Sequence, residues 1–457
     1  MNIAKRFLAV LGLLIASTLN MTAQQFGVIY SFPLDGAPCC PKPPAILAQG
    51  PDGSLYSTLP FGGNTSGAVF KVTPKGKFTD LYDFEADKLF APYGGLTLGT
   101  DGRFYGTTSG GGNSLQGTVF AITMGGQLTT LYTFSGGSDG FAPYAPPIEG
   151  VDKNFYGTTL EAGSQSPQGT MYKVTTSGSL TTIHQFQGTD GAGPAVPLIQ
   201  GIDGNLYGST QFGGSRGDGA LFRVTTAGSL TLLHSFDFTT GAYPSALIQA
   251  SDGNFYGTTL SGGADNKGVV FRMTASGDVT VLHSFNPSGG DGGAPQTGLV
   301  QASDGNLYGT AQSGGASGYG TIFRVGLDGT YATVYSFDGT TAAYPVDTLL
   351  QHTNGKLYGM SMAAVENAGT VYSLNLGLKP FVALVLAAGK IGSPVAILGQ
   401  GLTGAKSVSF NGVPASFAVR ADTVLVATVP SGAKSGLVTV TTGSGTLSSN
   451  RKFIVVP

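Results

Sequence analysis

The chain has 457 residues, a formal net charge of −2 and only 11% charged residues, against the ~25% of an ordinary soluble protein. Gly (74) and Pro (24) make up about a fifth of it, yet 41% of residues are hydrophobic and the glycines recur at fixed intervals, which describes a folded repeat protein rather than a disordered one. No basic stripe or acidic tail is present, which argues against nucleic acid and anionic membrane surfaces as partners.

The first residues read as an export signal. Lys5 and Arg6 form the charged part, Phe7 to Ile15 the apolar part, and small residues place a cut after Ala23. The apolar run is shorter than the ~20 residues that span a bilayer, no later segment qualifies, and no sorting tail follows the last domain. The expectation is an exported protein: extracellular, at the cell surface or periplasmic, with no membrane span after signal removal. Cys39 and Cys40 are adjacent in a proline-braced loop. A strained vicinal ring, pairing with another chain and free thiols all stay open, and no further soft ligand suggests a metal.

One phrase then recurs seven times: Asp52-Gly-Ser-Leu-Tyr, Asp101-Gly-Arg-Phe-Tyr, Asp152-Lys-Asn-Phe-Tyr, Asp203-Gly-Asn-Leu-Tyr, Asp252-Gly-Asn-Phe-Tyr, Asp304-Gly-Asn-Leu-Tyr and Asn354-Gly-Lys-Leu-Tyr, at steps of 49, 51, 51, 49, 52 and 50 residues. Each copy carries four strand-like runs. In the fifth they are Ala246–Ala250 (A), Asn254–Thr259 (B), Val269–Thr274 (C) and Val279–Phe285 (D), with Asp-Gly-Asn as the A–B turn. Four antiparallel strands at this period predict a propeller blade. The last copy stops after its C strand, Thr370-Val-Tyr-Ser-Leu, while a D-like run, Phe26–Phe32, precedes the first A strand. The two deficits are complementary, so the N-terminal strand is expected to complete the last blade and close a seven-bladed ring over residues 24–377. Residues 378–457 alternate apolar and polar in five runs and predict an immunoglobulin-like sandwich. The fold class is all-β.

The phrases Tyr-Gly-Thr-Thr, Gly-Thr-Val-Phe and Leu-Thr-Thr-Leu-Tyr-x-Phe resemble the tandem GloVer-type repeats of exported bacterial proteins; the resemblance covers roughly residues 24–377 and carries no established activity. Asp-Gly-Asn-Leu before strand B is more loosely similar to propellers of the virginiamycin B lyase type. Those use a His, a Glu and a magnesium ion, and no matching His is identifiable here. The segments Ile397–Leu402, Ser407–Val413, Thr428-Val-Pro and Ser435–Val440 resemble an IPT/TIG domain, which implies a spacer or interaction module.

The repeats supply an internal control: a residue present in every copy serves the scaffold. Tyr56, Tyr105, Tyr156, Tyr207, Tyr256, Tyr308 and Tyr358 are therefore read as blade-to-blade packing rather than as sugar-stacking residues. His184, His234 and His283 replace the tyrosine of strand D on separate outer edges and cannot converge on one metal. The column Gln49, Leu98, Glu149, Gln200, Gln249, Gln301 and Gln351 is expected near the central channel, its amides either facing a polar ligand or satisfying one another. Gly136–Gly140 and Gly213–Gly217 match Gly-x-Ser-x-Gly but lack the helix and the His that a nucleophile elbow requires.

The variable D–A and B–C loops share one face. They hold Tyr93, Tyr144, Tyr243 and Tyr344 together with Asp139, Asp190 and Asp291, a set that suits a polysaccharide or an extracellular protein as ligand, with loop packing as the plain alternative. The leading expectation is non-enzymatic binding, without cofactor or metal. The rivals are a polysaccharide lyase or hydrolase using Glu149, His352 and Asp139, and a purely structural or adhesive component.

Overall fold

The computed structural model describes residues 24–456 apart from 35–37, 40, 43–44, 63–65, 86–87, 163–167 and 364–366. The export signal and Cys40 therefore lie outside the described residues. Among those described the chain is all-β, interrupted by two single 3-10 turns, Pro287–Gly289 and Leu402–Gly404.

Each of the seven sequence copies forms one antiparallel sheet in the order A-B-C-D. In repeat 2 the strands are Thr97–Leu98, Phe104–Thr108, Thr118–Ile122 and Leu128–Thr133. Strands B and C are buried on both faces, while strand D keeps the half-exposed pattern of an edge. The C–D pairing slips by one residue at Val119/Phe120, and the same bulge recurs at the matching place in repeats 1 and 3–6. A bulge adds local twist, which the outermost strand of a twisted sheet requires.

Repeat 7 takes its D strand from the other end of the chain. Gln25–Ser31 pairs antiparallel with Thr370–Asn375, from Gln25 opposite Asn375 to Ser31 opposite Thr370. Seven apolar cores lie between consecutive sheets. The core joining repeats 1 and 2 holds Tyr56, Phe84, Phe104 and Phe120, and the one joining repeats 7 and 1 holds Phe32, Leu47, Leu55, Phe70, Tyr358 and Met360. Three tyrosines of strand B lie against a phenylalanine of the next sheet: Tyr56 stacks on Phe104 at 4.2 Å, Tyr105 stacks on Phe155 at 3.7 Å, and Tyr207 tilts against Phe255 at 4.2 Å. Tyr156, Tyr256, Tyr308 and Tyr358 instead pack in cores where the matching residue is Leu206, Leu307, Leu357 or Leu55. At ~1.5–3 kcal/mol for each fully buried large apolar side chain, these junctions carry most of the stability.

The A strands are shorter than the sequence suggested, two residues in every repeat; in the fifth the ladder covers only Ile248–Gln249 rather than Ala246–Ala250. The reason is that carbonyls just ahead of strand A are used between sheets. Thr58, Thr107, Ser209, Thr258 and Thr310 of strand B donate their hydroxyls to the carbonyls of Pro92, Ala145, Ser245, Thr297 and Asp347 in the following repeat. The C–D turns pack just as closely. Gly126 has φ +90°, and a Cβ there would sit 2.4 Å from the Leu81 carbonyl of the preceding sheet, so only glycine fits.

Beyond the repeats, two further sheets enclose one apolar core. One contains Ala383–Leu384, Pro394–Leu398, Phe417–Ala421 and Val424–Thr428; the other contains Ala388–Gly389, Ser407–Phe410, Val413–Ala415, Gly436–Thr442 and Gly445–Val455. Val395, Ile397, Leu425, Val438, Val440 and Phe453 meet between them. The strands at Phe417–Ala421 and Val413–Ala415 had no distinct periodicity in the sequence, since their residues alternate weakly and remain largely exposed.

Candidate functional site

The column led by Gln49 binds neighbouring repeats together. Each member reaches the A–B turn of the preceding sheet and accepts the backbone N–H two residues beyond that sheet's own column residue. Gln200 accepts from Val151, Gln249 from Ile202, Gln301 from Ser251, Gln351 from Ser303 and Gln49 from Thr353, all at 2.8–3.0 Å. Glu149 does the same with both oxygens, taking Thr100 N at 2.7 Å and Thr100 Oγ1 at 2.6 Å. The exception explains itself. Leu98 of repeat 2 faces the turn of repeat 1, where the matching residue is Pro51, which has no N–H to give. The expectation that these amides face a ligand or one another gives way to this arrangement.

The other enzymatic suspects are similarly engaged. His352 is 1% exposed; its Nδ1 accepts the Asn354 N–H, so Nε2 carries the proton and donates to the Gly53 carbonyl at 3.0 Å. Burial holds its pKa below the usual range, so the ring is neutral. Asp139 accepts from Ser135 N (2.7 Å), Ser135 Oγ (2.5 Å), Tyr132 OH (3.0 Å) and Gly137 N (3.2 Å). Burial opposes its charge, but the Ser135 bonds outweigh that and hold the carboxyl below its ordinary pKa. Glu149 and His352 thus serve two different junctions between repeats, and Asp139 holds its own loop to strand D.

Asp190 and Asp291 repeat the role of Asp139. Asp190 takes His184 Nε2 at 2.9 Å and Gln187 N at 2.7 Å; Asp291 takes His283 Nε2 at 2.6 Å, Gly292 N at 2.6 Å and the Tyr331 hydroxyl. Tyr132, His184 and His283 occupy one position of strand D, so a donor there and an aspartate in the following loop form a unit that sequence reading had separated. The buried strand-B tyrosines are tied in the same local way: Tyr105 OH donates to Asp101 at 2.7 Å and Tyr256 OH to Asp252 at 2.8 Å. In repeat 7 the bond reverses, with Asn354 Nδ2 donating to Tyr358 OH at 2.8 Å.

The four loop tyrosines are all half-buried but fall into two positions. Tyr93 and Tyr144 follow the loop proline, whereas Tyr243 and Tyr344 precede it with φ of +58° and +55°. Ala91, Ala142 and Ala294 share that left-handed pre-proline position, so the strain belongs to the repeat. Tyr93 and Tyr144 stack on each other, with centroids 4.9 Å apart and planes 18° apart, and Phe61 meets Tyr93 edge-on. Phe212 and Phe238 flank Tyr243, and Tyr319 meets Tyr344. Three aromatic groups therefore line the D–A and B–C loops, with Phe61, Phe212 and Phe238 each about 40% exposed.

The donor set does not fit the magnesium centre implied by the looser resemblance: among the described residues no three His, Cys, Asp or Glu side chains converge. Among the described residues, no helix is long and apolar enough to cross a membrane.

The fold and its repeated junctions define a propeller-like repeat protein. The Gloeobacter/Verrucomicrobia repeat matches residues 41–250, 123–302 and 245–405, and the chain belongs to that family. Solved structures that share its fold include two lyases. One is a streptogramin B lyase, 16% identical with TM-score 0.53, covering 78% of this chain and 98% of that one. The other is a catalytically inactive virginiamycin B lyase from Staphylococcus aureus with quinupristin, 16% identical with TM-score 0.54, covering 77% and 99%. No curated protein matches the sequence.

Proposed function

We propose that the chain is an exported, non-enzymatic binding protein: a closed seven-bladed β-propeller (residues 24–377) that holds a polysaccharide on its D–A and B–C loop face, followed by an immunoglobulin-like domain of the IPT/TIG type (residues 378–457). The observation that carries this reading is the aromatic set on that face, above all the stacked pair Tyr93 and Tyr144 with Phe61 at its edge. A sugar ring presents C–H groups that pack on an aromatic face and hydroxyls that bond to polar neighbours, and a chain with only 11% charged residues does not demand a charged ligand. The engagement of Glu149, His352 and Asp139 by backbone and hydroxyl partners supports binding over turnover.

The test is to incubate residues 24–457 with a panel of neutral and acidic polysaccharides and to measure both retention and released products. The expected result is retention without products, weakened at least tenfold in a Tyr93→Ala/Tyr144→Ala variant of unchanged melting behaviour. Product release that Glu149→Gln abolishes would establish the enzymatic alternative. Neither retention nor product would leave a protein ligand or a structural role.

A further inference from the structure

The seven A–B turns are not equal. Repeats 4, 5 and 6 keep one plan: Gln200-Gly-Ile-Asp203-Gly-Asn205, Gln249-Ala-Ser-Asp252-Gly-Asn254 and Gln301-Ala-Ser-Asp304-Gly-Asn306. The other four each break it at two or more places. Repeat 1 has Pro51 and Ser54, repeat 2 has Leu98 and Arg103, repeat 3 has Glu149 and Lys153, and repeat 7 has His352, Asn354 and Lys356. Repeats 7, 1, 2 and 3 form one unbroken arc of the ring, and it is against this arc that the C-terminal unit packs.

In repeat 1 the Thr423 hydroxyl donates to the Pro51 carbonyl, and the Thr423 methyl lies 3.1 Å from where a Gly53 Cβ would stand. In repeat 7, Gln400 Nε2 donates to Thr353 Oγ1 at 2.9 Å, and a Cβ on Gly355 would strike the Leu378 carbonyl. Thr100 of repeat 2 and Val151 and Lys153 of repeat 3 line a 210 Å³ cleft with Ala388, Lys390 and Pro394. The turn glycines of the regular repeats, Gly204, Gly253 and Gly305, have nothing within 4 Å of where a Cβ would stand. Within the arc the same holds for Gly102, so repeat 2 meets the unit through Thr100 rather than at its turn glycine.

The departures also brace the turns on which the unit rests. Lys153 holds a left-handed φ of +66° where the other six turns have glycine, and its Nζ reaches Thr100 Oγ1 at 3.2 Å and Glu149 at 3.6 Å. It thereby ties the turns of repeats 2 and 3. His352 ties the turn of repeat 7 to Gly53 of repeat 1. Thr353 Oγ1 accepts from Gln49 Nε2 at 2.8 Å as well as from Gln400, so the unit joins the hydrogen bonds that close the ring.

We infer that the A–B turns of repeats 7, 1, 2 and 3 are an interaction surface specialised for the chain's own residues 378–456, which they hold as a fixed cap over that side of the ring. The C-terminal unit is a seated part of one rigid body rather than a loosely tethered spacer, and only the turns of repeats 4–6 remain open on this face. The inference is independent of the ligand proposed above.

Small-angle X-ray scattering on residues 24–457 tests it, comparing the unaltered chain with Gln400→Arg/Thr423→Arg, which alters only the cap. The unaltered chain is expected to scatter as one rigid particle, and the variant as two tethered bodies with a larger radius of gyration and an unchanged far-ultraviolet circular dichroism spectrum. Pro51→Ser/Lys153→Gly/His352→Ala, which returns the seat to the plan of the regular turns, should loosen the cap in the same direction. Two-body scattering by the unaltered chain, or a compact profile from both variants, would overturn the inference.

Discussion

Gln49 and Thr353, at opposite ends of the repeat array, hold each other by two hydrogen bonds: the Thr353 N–H donates to Gln49 Oε1 at 3.0 Å, and Gln49 Nε2 donates to Thr353 Oγ1 at 2.8 Å. Both residues are buried, so neither bond is readily replaced by water. The ring is locked by the same side chain that serves the ordinary junctions.

Gln49→Leu is therefore expected to lower unfolding free energy by about 1–3 kcal/mol, because it leaves the buried Thr353 N–H without an acceptor. Leu98→Gln should gain nothing, since Pro51 offers no N–H. Combined with Pro51→Ser it should recover, and a double-mutant cycle in urea should show favourable coupling on the order of 0.5–3 kcal/mol. Strict additivity would contradict the pairing.

Asp347 is fully buried and neither carboxylate oxygen has a hydrogen-bond partner. The neighbouring repeat shows why. There Thr297 bonds Thr310 at 2.9 Å, whereas repeat 7 has Asp347 and Met360 in those places. Burial pushes the Asp347 pKa well above the ordinary carboxylate value. The folded state then keeps a proton that the unfolded chain releases, so stability falls as pH rises from about 4 towards the raised value. Asp347→Asn should remove that component, and Met360→Thr should stabilise the protein by supplying a partner. Urea melts at pH 5 and pH 8 measure both effects.

His352 has the opposite sign. Its folded pKa lies below the ordinary histidine value of 6.5, so on acidification the unfolded chain binds a proton that the folded one refuses. Stability should fall below about pH 6.5, and His352→Gln should flatten that slope in melts taken between pH 5 and 7.5.

Glu149→Gln should be close to neutral for folding, because glutamine fills this column in five other repeats and can still accept the Thr100 N–H. Glu149→Leu should cost about 1–3 kcal/mol, by the same loss of an acceptor. A thermal melt of each separates the two.

The repeated Asp-Gly turn, the four strands per copy and the pairing of Phe26 with the final C strand were written openly in the sequence, because backbone turn chemistry and apolar alternation act locally. What escaped depends on neighbours fifty residues apart. Pro51 beside Leu98 reads as two unrelated substitutions until the sheets are set side by side, although the absence of an N–H at one and of an acceptor at the other was there to be matched. Aligning the loops on their prolines, rather than on their tyrosines, would have separated Tyr93 and Tyr144 from Tyr243 and Tyr344. Asp139 and Asp190 looked like ligand contacts because the strand-D donors that claim them lie across a turn.

The strand Gln25–Ser31 also imposes an order of events on biosynthesis. It is made first, but its partner Thr370–Asn375 is among the last of the ring to be synthesised, a delay of some tens of seconds at ~5–20 residues per second. Throughout that interval the earliest strand has an unsatisfied edge and the first sheet lacks one neighbour. A partly made chain therefore cannot complete the last sheet until its final repeat has been synthesised.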